Sequence, residues 1–141
     1  MEELSVRDVM TTGPMTLKRN EKLTLADDIM QLGRIRHLPV IDDDDDGKLI
    51  GIVSQRDLLR GALAQALGYG EHGRRKLLDT LLVKEVMATE VATTSPDTLL
   101  ADAARILTER KIGCLPVVDD GRLVGILTEG DFVALAARRA P

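Results

Sequence analysis

The sequence GIVSQRD at residues 51–57 returns, with conservative changes, as GILTEGD at residues 125–131. Outward from this motif, LPV at 38–40 recurs at 115–117, and VRDVM at 6–10 recurs as VKEVM at 83–87. The motifs keep their order and nearly their spacing, so the chain contains two copies of one repeat. Two copies, unlike a long array, predict a closed pair with pseudo-twofold symmetry. A cleft between such repeats would have the same chemistry on both walls.

Composition limits the kind of partner this chain can bind. Its 141 residues fit one compact module of common domain size. Tyr69 and Phe132 are the only aromatic residues, so the stacking used by single-strand nucleic-acid binders is not available. The net charge is −4, and the acidic run at 42–46 accounts for it. We therefore do not expect binding to nucleic acid.

The sequence also indicates a compartment. Cys114 is the single cysteine, which suits a reducing environment. No apolar stretch approaches the ~20 residues that span a bilayer, and no signal-peptide pattern opens the chain. We expect a cytoplasmic protein with no membrane association.

Hydrophobic spacing predicts the order β-α-β-β-α in each copy, which is an α+β fold. In the first copy it predicts strands at 15–17, 37–41 and 48–53, and a helix from Leu23 that stops at Gly33. The dipeptides Asp46-Gly47 and Asp120-Gly121 are hairpin signals.

The remaining segments complete the predicted organisation. Ser5 is expected to cap a short helix at 6–10, and Ser54 to begin a long helix through Leu67. The glycine-rich residues 68–73 predict a flexible connection, after which 74–83 returns to helical spacing. We divide the chain into a first repeat at 1–67, a linker with a helix at 68–82 and a second repeat at 83–141, forming one compact module.

A hydroxyl and a carboxylate stand three residues apart at each predicted strand-to-helix corner, as Ser54 with Asp57 and as Thr128 with Asp131. The first amides of a helix lack internal partners and attract phosphate. A carboxylate one turn further suits two vicinal ribose hydroxyls. The same pattern is also a capping box, in which the side chains only complete the helix start. Its recurrence on both walls of a cleft favours ligand contact, with capping as a second role.

Together these motifs resemble the CBS domain, named for cystathionine β-synthase, in the tandem form called a Bateman module. The resemblance rests on the Val-Met openings, the Leu-Pro-Val strands, the Asp-Gly hairpins and the Gly-Ile endings, and it covers about 6–60 and 83–138. It implies an α+β, pseudo-twofold CBS-domain pair that binds AMP, ADP, ATP or S-adenosylmethionine in the cleft between the repeats. It also implies a homodimer that reports an adenine nucleotide, its regulatory ligand, to an effector protein. No enzymatic activity and no required cofactor are implied.

The resemblance also implies residue roles. It assigns phosphate contact to Ser54 and Thr128, and ribose contact to Asp57 and Asp131. The full set of predicted nucleotide-binding residues is Ser54, Asp57, Thr128, Asp131, Arg56, Met15, Ile35, Arg36, His37, Pro39, Ala92, Ile112, Gly113 and Pro116. No catalytic and no metal-binding residue is predicted.

The two corners differ in charge. Arg56 lies inside the first motif, whereas Glu129 and Gly130 occupy the corresponding part of the second. We expect the first corner to prefer more phosphorylated ligands or to bind more tightly; a solvent-facing Arg56 is the alternative. His37 and Cys114 hold equivalent positions before Leu-Pro-Val and are expected to be strand residues near the cleft, with His37 a candidate phosphate contact.

Two charged segments of the sequence each allow two interpretations. The acidic run at 42–46 is either an enlarged solvated turn, which we favour, or a divalent-cation site. His72 with residues 74–76 is either the charged start of a helix, which we favour, or a contact for phosphate or nucleic acid.

For the whole chain, the alternative to a nucleotide sensor is a ligand-free dimerisation or interaction module. An enzyme is the third class, which no nucleophile–base pair or metal cluster supports. Because 141 residues leave no room for an effector domain, we expect the sensor to signal to a partner in trans.

Overall fold

The computed structural model describes residues 3–45, 47–59 and 70–138. A short 3-10 helix at Val6–Asp8 comes first. The strands are β1 (Thr11–Thr12), β2 (Leu17–Lys18), β3 (His37–Ile41), β4 (Leu49–Ser54), β5 (Cys114–Asp119) and β6 (Arg122–Thr128). The helices are α1 (Leu23–Gly33), α2 (described over 55–59), α3 (Gly70–Thr80), α4 (Val83–Val86), α5 (Leu100–Arg110) and α6 (Glu129–Arg138).

Contacts divide the chain into two compact units. The continuous unit comprises the described residues of Met15–Val91, and the discontinuous unit comprises those of Met1–Pro14 and Ala92–Pro141. Each unit has its own three-stranded sheet, in the order β2-β3-β4 and β1-β6-β5 respectively. In the continuous unit β2 pairs parallel with β3, which pairs antiparallel with β4. This α+β architecture confirms the fold class.

The sequence repeats and the compact units do not coincide, because each repeat's opening packs against a strand of the other repeat. We call residues 6–12 and 83–88 the two openings. In the discontinuous unit β1 pairs antiparallel with β6. In the continuous unit Ile52 and Ala88 exchange two backbone hydrogen bonds, at N–O distances of 3.0 and 2.9 Å. The division into sequence repeats and the division into compact units therefore differ in where these openings belong.

A glycine makes each of these approaches close. A Cβ added at Gly125 would lie 2.7 Å from Sδ of Met10, and one at Gly51 would lie 2.8 Å from Sδ of Met87. Real Cβ atoms are not found that close to other heavy atoms. The methionine of each opening therefore lies directly over a strand position that only glycine can occupy without a shift.

Each unit has a separate aliphatic core. The buried core of the continuous unit consists of Leu17, Leu23, Ala26, Met30, Leu38, Val40, Val53, Leu58, Leu78 and Val83. That of the discontinuous unit consists of Val6, Leu100, Ala103, Leu107, Leu115, Val117 and Leu127. Val6 and Val83, one from each opening, are both fully buried. The openings thus contribute to the cores as well as to the sheets.

Several predicted elements are confirmed. Helix α1 covers Leu23–Gly33, and β3 covers His37–Ile41, as the spacing indicated. Asp120 and Gly121 have positive φ angles of 53° and 78° between β5 and β6, as a tight two-residue hairpin requires. The counterpart of β2 in the second copy is reduced to a bridge between Thr94 and Val117.

Other predictions require correction or concern residues outside the described chain. Residues 70–73, assigned to a flexible glycine connection, belong to α3. Packing overrides the low helix propensity of glycine here, since α3 buries Leu78 and its Arg74 binds Asp27 of α1. The short helix after Ser5 ends at Asp8, earlier than predicted. The predicted long helix from Ser54 is described only to residue 59, and its continuation to Leu67 lies outside the described residues, as does Asp46.

Candidate functional site

The first corner, which we define as residues 54–57, joins β4 to α2. The backbone N–H of Ser54 donates to Oδ2 of Asp57 at 2.9 Å, and the N–H of Asp57 donates to Oγ of Ser54 at 3.1 Å. These two bonds are the reciprocal pattern of a capping box, so the capping role predicted for the motif is present. Within the described chain no residue bonds to Oδ1 of Asp57, which leaves that oxygen able to accept from a ligand hydroxyl.

The second corner, residues 128–131, joins β6 to α6 in a similar way. The N–H of Thr128 donates to Oδ2 of Asp131 at 2.8 Å. The hydroxyl of Thr128 also donates to this oxygen, at 3.3 Å. As at the first corner, one carboxylate oxygen completes the helix start, and both corner aspartates are partly buried. Each corner therefore holds a fixed carboxylate at the positive end of a helix.

The strand beside each corner brings further predicted residues next to it. His37 is the register partner of Ser54, and the N–H of Gln55 donates to the carbonyl of Arg36 at 2.8 Å. In the discontinuous unit Cys114 is the partner of Thr128, and the N–H of Glu129 donates to the carbonyl of Gly113 at 3.2 Å. Residues 36–37 and 113–114 thus flank equivalent corners.

The other predicted site residues are less directly connected to the corners. Pro39 and Pro116 are buried in β3 and β5, opposite Ile52 and Ile126. Ile35, Ile112 and Ala92 are partly buried against the core of their own unit. Met15 is 53% exposed. Met15 and Ala92 lie outside the strands that pair at the corners, whereas Arg56 is exposed within the first motif.

Burial determines the protonation state of the thiol beside the second corner. Cys114 is a free, buried cysteine, and burial raises the pKa of its thiol from 9.0 to about 12. The thiol is therefore neutral at physiological pH, and neutral thiols are poor nucleophiles. Cys114 contributes no charge to the second corner.

The acidic loop contains a hydrogen-bonded aspartate. Oδ1 of Asp42 accepts the N–H of Asp44 at 2.9 Å and pairs with Nη2 of Arg19 at 2.7 Å. The N–H of Asp44 and the nearby Arg19 hold the pKa of Asp42 below its ordinary value. Among residues 3–45, 47–59 and 70–138, no group of three or more His, Cys, Asp and Glu side chains is arranged to hold a metal ion.

The arginines at the start of α3 bind carboxylates of α1. Nη2 of Arg74 lies 3.1 Å from Oδ1 of Asp27, and Nη1 lies 3.4 Å from Oδ2. Arg75 pairs with Asp28 at 3.0 and 3.3 Å, and this hydrogen bonding lowers the pKa of Asp28. These contacts dock α3 on α1, as a charged helix start would.

Sequence reasoning missed two features. The glycines at 51 and 125, quoted as part of the corner motifs, accept the opening of the other repeat. The sequence contained a signal for this packing, because each glycine recurs together with a Val-Met opening. Which opening packs on which glycine depends on long-range pairing, which the sequence pattern does not specify. Thr94 was also missed: it is 7% exposed, and its buried Oγ1 has no hydrogen-bond partner in the described chain. No helix within the described chain is both long and apolar enough to cross a bilayer.

Comparison with known proteins gives consistent matches over nearly the whole chain. The family model for the CBS domain matches residues 6–64 and 83–138. The CBS domain-containing protein YhcV of Bacillus subtilis is 33% identical over 128 residues, which cover 91% of this chain and 82% of YhcV. The inosine-5′-monophosphate dehydrogenase of Bifidobacterium longum is 38% identical over 128 residues, but only 21% of its length is covered.

Solved structures show the same fold. The putative acetoin utilization protein AcuB of Vibrio cholerae has a TM-score of 0.82 at 39% identity, covering 97% of this chain and 93% of its own. CBSX2, solved in complex with AMP, has a TM-score of 0.76 at 35% identity, with coverages of 95% and 96%. The CBS domain pair of MJ0100, in complex with 5′-methylthioadenosine and S-adenosyl-L-methionine, has a TM-score of 0.79 at 29% identity, with coverages of 99% and 100%.

Proposed function

Because this chain belongs to the CBS domain family and carries two copies of the domain, we propose that it is a regulatory module that senses adenine nucleotides. The observation that supports this most is the duplicated corner, in which a fixed carboxylate and a hydroxyl stand at a helix start in both units. The proposed ligands are AMP, ADP, ATP and S-adenosylmethionine. Two similar pairs, CBSX2 and MJ0100, were solved with ligands of this class.

The corners supply complementary groups for a nucleotide. At the first corner the N–H of Arg56 and the hydroxyl of Ser54 would bind phosphate oxygens, because the neighbouring N–H groups of Gln55 and Asp57 are already bonded within the protein. Oδ1 of Asp57 and of Asp131, left open by the cap, would accept from ribose hydroxyls. Since the cap already holds each carboxylate in place, a ligand need not order it, and that lowers the entropic cost of binding. The adenine would contact aliphatic side chains and backbone.

The proposed role is regulatory, with no reaction catalysed by the chain itself. A ligand can change the arrangement of the protein only by its difference in affinity between two states. The output would go to an effector protein in trans, in the cytoplasm. The dehydrogenase match supports this separation of sensing from catalysis, because it covers only about a fifth of that enzyme.

We further propose that the chain forms a homodimer. Helix α6 has no buried residue within its unit, and Val133 on it is 70% exposed. A second copy is the partner that would cover this helix. Sedimentation equilibrium tests this: the mass of a dimer supports it, and a monomer at micromolar concentration would exclude it.

Ligand binding is tested by thermal shift, with matched controls for the loss of a cap. At about 100 times its Kd, AMP or ATP should stabilise the folded protein by about 2.7 kcal/mol. Asp57→Ala should remove the shift due to the first corner. Glu85→Ala is the control in the same unit, since Glu85 accepts the N–H of Leu82 at 3.1 Å and so has the same capping role outside a corner.

For the second corner, Asp131→Ala is compared with Asp8→Ala. Asp8 accepts the N–H of Ser5 at 2.9 Å in the discontinuous unit. Each capping change should lower stability by about 1 kcal/mol, but only the corner variants should lose binding. If no adenine nucleotide, S-adenosylmethionine or methylthioadenosine shifts the melting of the parent, the sensor proposal fails. A ligand-free dimerisation module is then the better description.

A further inference from the structure

We propose that the two corners bind adenosyl ligands of different charge class. The first corner takes a phosphorylated adenosine, and the second takes an adenosyl ligand whose 5′ substituent is neutral or cationic, such as a thioether or sulfonium. This inference rests on the proposed function, namely that both corners bind adenosine. It follows from the charges that the folded backbone brings to each corner.

The first corner has two arginines in its immediate sequence and strand neighbourhood. Arg36 lies beside it, because its carbonyl accepts the N–H of Gln55, and Arg56 lies within it. Both arginines are exposed, and Asp57 is the only carboxylate in residues 54–57. The Oγ of Ser54 accepts from the N–H of Asp57, and no described residue accepts its proton. That proton is therefore available to donate to a phosphate oxygen.

The second corner lacks these cations and carries one more carboxylate. Gly113 stands where the first corner has Arg36, and Gly130 where it has Arg56. Glu129 replaces Gln55 and adds a second carboxylate to that of Asp131. The hydroxyl of Thr128 donates to Asp131, so its proton is already used. The corner therefore holds two carboxylates and no cation.

Cys114 does not change this balance. It occupies the position of His37 beside the corner, and burial keeps its thiol neutral. The second corner consequently opposes a phosphate dianion and favours a sulfonium, or a thioether that carries no charge. Nearby like charges weaken and opposite charges strengthen binding by amounts that salt reduces.

AMP and 5′-methylthioadenosine are the probes, because they share adenine and ribose but differ in the charge of the 5′ group. S-adenosylmethionine, with a net single positive charge, is a third. Calorimetry on the Asp131→Ala variant measures ligand binding at the first corner alone, because the second is removed. Calorimetry on Asp57→Ala measures binding at the second corner alone. We expect the first corner to bind AMP about tenfold more tightly than methylthioadenosine, and the second corner to bind methylthioadenosine about tenfold more tightly than AMP. Raising the salt concentration should weaken only AMP binding at the first corner.

A charge exchange gives the sharper test. A Cβ added at Gly130 meets only Oγ1 of Thr128, at 3.6 Å, so a side chain fits there. In the Asp57→Ala background, Gly130→Arg should bind AMP about tenfold more tightly than the matched Gly130→Ala, while the methylthioadenosine affinities of the two variants should differ little. In the Asp131→Ala background, Arg56→Gln should weaken AMP binding, and Arg56→Lys should restore it.

The outcomes separate this inference from the function on which it rests. If both corners bind adenosyl ligands with the same ratio of AMP to methylthioadenosine affinity, the charge assignment is wrong and the sensor stands. If neither corner binds any of the three ligands, both the charge assignment and the sensor proposal fail. Should Asp57→Ala or Asp131→Ala not fold, Asp57→Asn and Asp131→Asn keep an acceptor for the cap and replace them.

Discussion

Removing Arg74 should destabilise the continuous unit through the carboxylate it leaves behind. The side chain of Asp27 is 8% exposed and that of Arg74 is 20% exposed, and two N–O contacts of 3.1 and 3.4 Å join them. Breaking a buried pair by removing one partner costs about 3–5 kcal/mol. Nε2 of Gln31 still donates to Asp27 at 3.1 Å, and Nη1 of Arg75 lies 4.0 Å from it. We therefore expect Arg74→Ala to lower the free energy of unfolding by about 2–3 kcal/mol.

Urea unfolding followed by circular dichroism measures this change, and a double-mutant cycle isolates the pair. Asp27→Ala should cost less than Arg74→Ala, because Arg74 is exposed enough to reach water. The coupling energy between the two substitutions should be about 1–2 kcal/mol. Arg75→Ala is the control: its side chain is 55% exposed, and it should change stability little. The reasoning is refuted if Arg74→Ala is no more destabilising than Arg75→Ala, or if the cycle shows no coupling.

Three further predictions follow from buried groups. Gly125→Ala and Gly51→Ala should each lower stability by about 1–3 kcal/mol in chemical unfolding, because the new Cβ meets a methionine sulfur within 3 Å. Gly130→Ala, whose Cβ meets only Oγ1 of Thr128 at an ordinary contact distance of 3.6 Å, should be much milder, and equal effects would contradict the packing of the openings. Thr94→Val should raise the free energy of unfolding by about 1 kcal/mol, because it removes a buried hydroxyl without a partner; a loss of stability would show that the hydroxyl is satisfied. Since the pKa of Cys114 is raised to about 12 in the folded state, its stabilising contribution is complete below pH 9 and is lost as pH rises toward 12, by roughly 1–2 kcal/mol at pH 10. Cys114→Ala should lack this additional loss, and identical pH profiles would contradict it.

Local sequence signals predicted the elements that depend on neighbouring residues. The spacing of Leu23, Ala26 and Met30 gave the buried face of α1, and all three are in the core. Asp120-Gly121 predicted a hairpin because both residues tolerate positive φ. The corner pattern predicted capping as a second role. Both bonds of a capping box are present at the first corner, whereas at the second the N–H and the hydroxyl of Thr128 both donate to Asp131.

Features set by distant residues could not be obtained in this way. The helical conformation of residues 70–73 is supported by the pairing of Arg74 with a carboxylate of α1, 47 positions away. The packing of each opening on the other repeat depends on which strand it meets, and two copies with the same motifs offer two choices. The sequence motif likewise does not predict which oxygen of the corner carboxylate accepts the capping hydrogen bond. It therefore does not predict which oxygen stays open to a ligand.

The most direct test of the account is the number of adenine nucleotides bound per chain. Equilibrium dialysis with radiolabelled AMP, at a concentration high enough to fill the second corner, where its affinity is expected to be lower, should give two per chain for the parent protein. It should give one for Asp57→Ala or Asp131→Ala, and none when both substitutions are combined in a protein that still folds. A folded double variant that binds as much AMP as the parent would contradict the assignment of the corners as the binding sites.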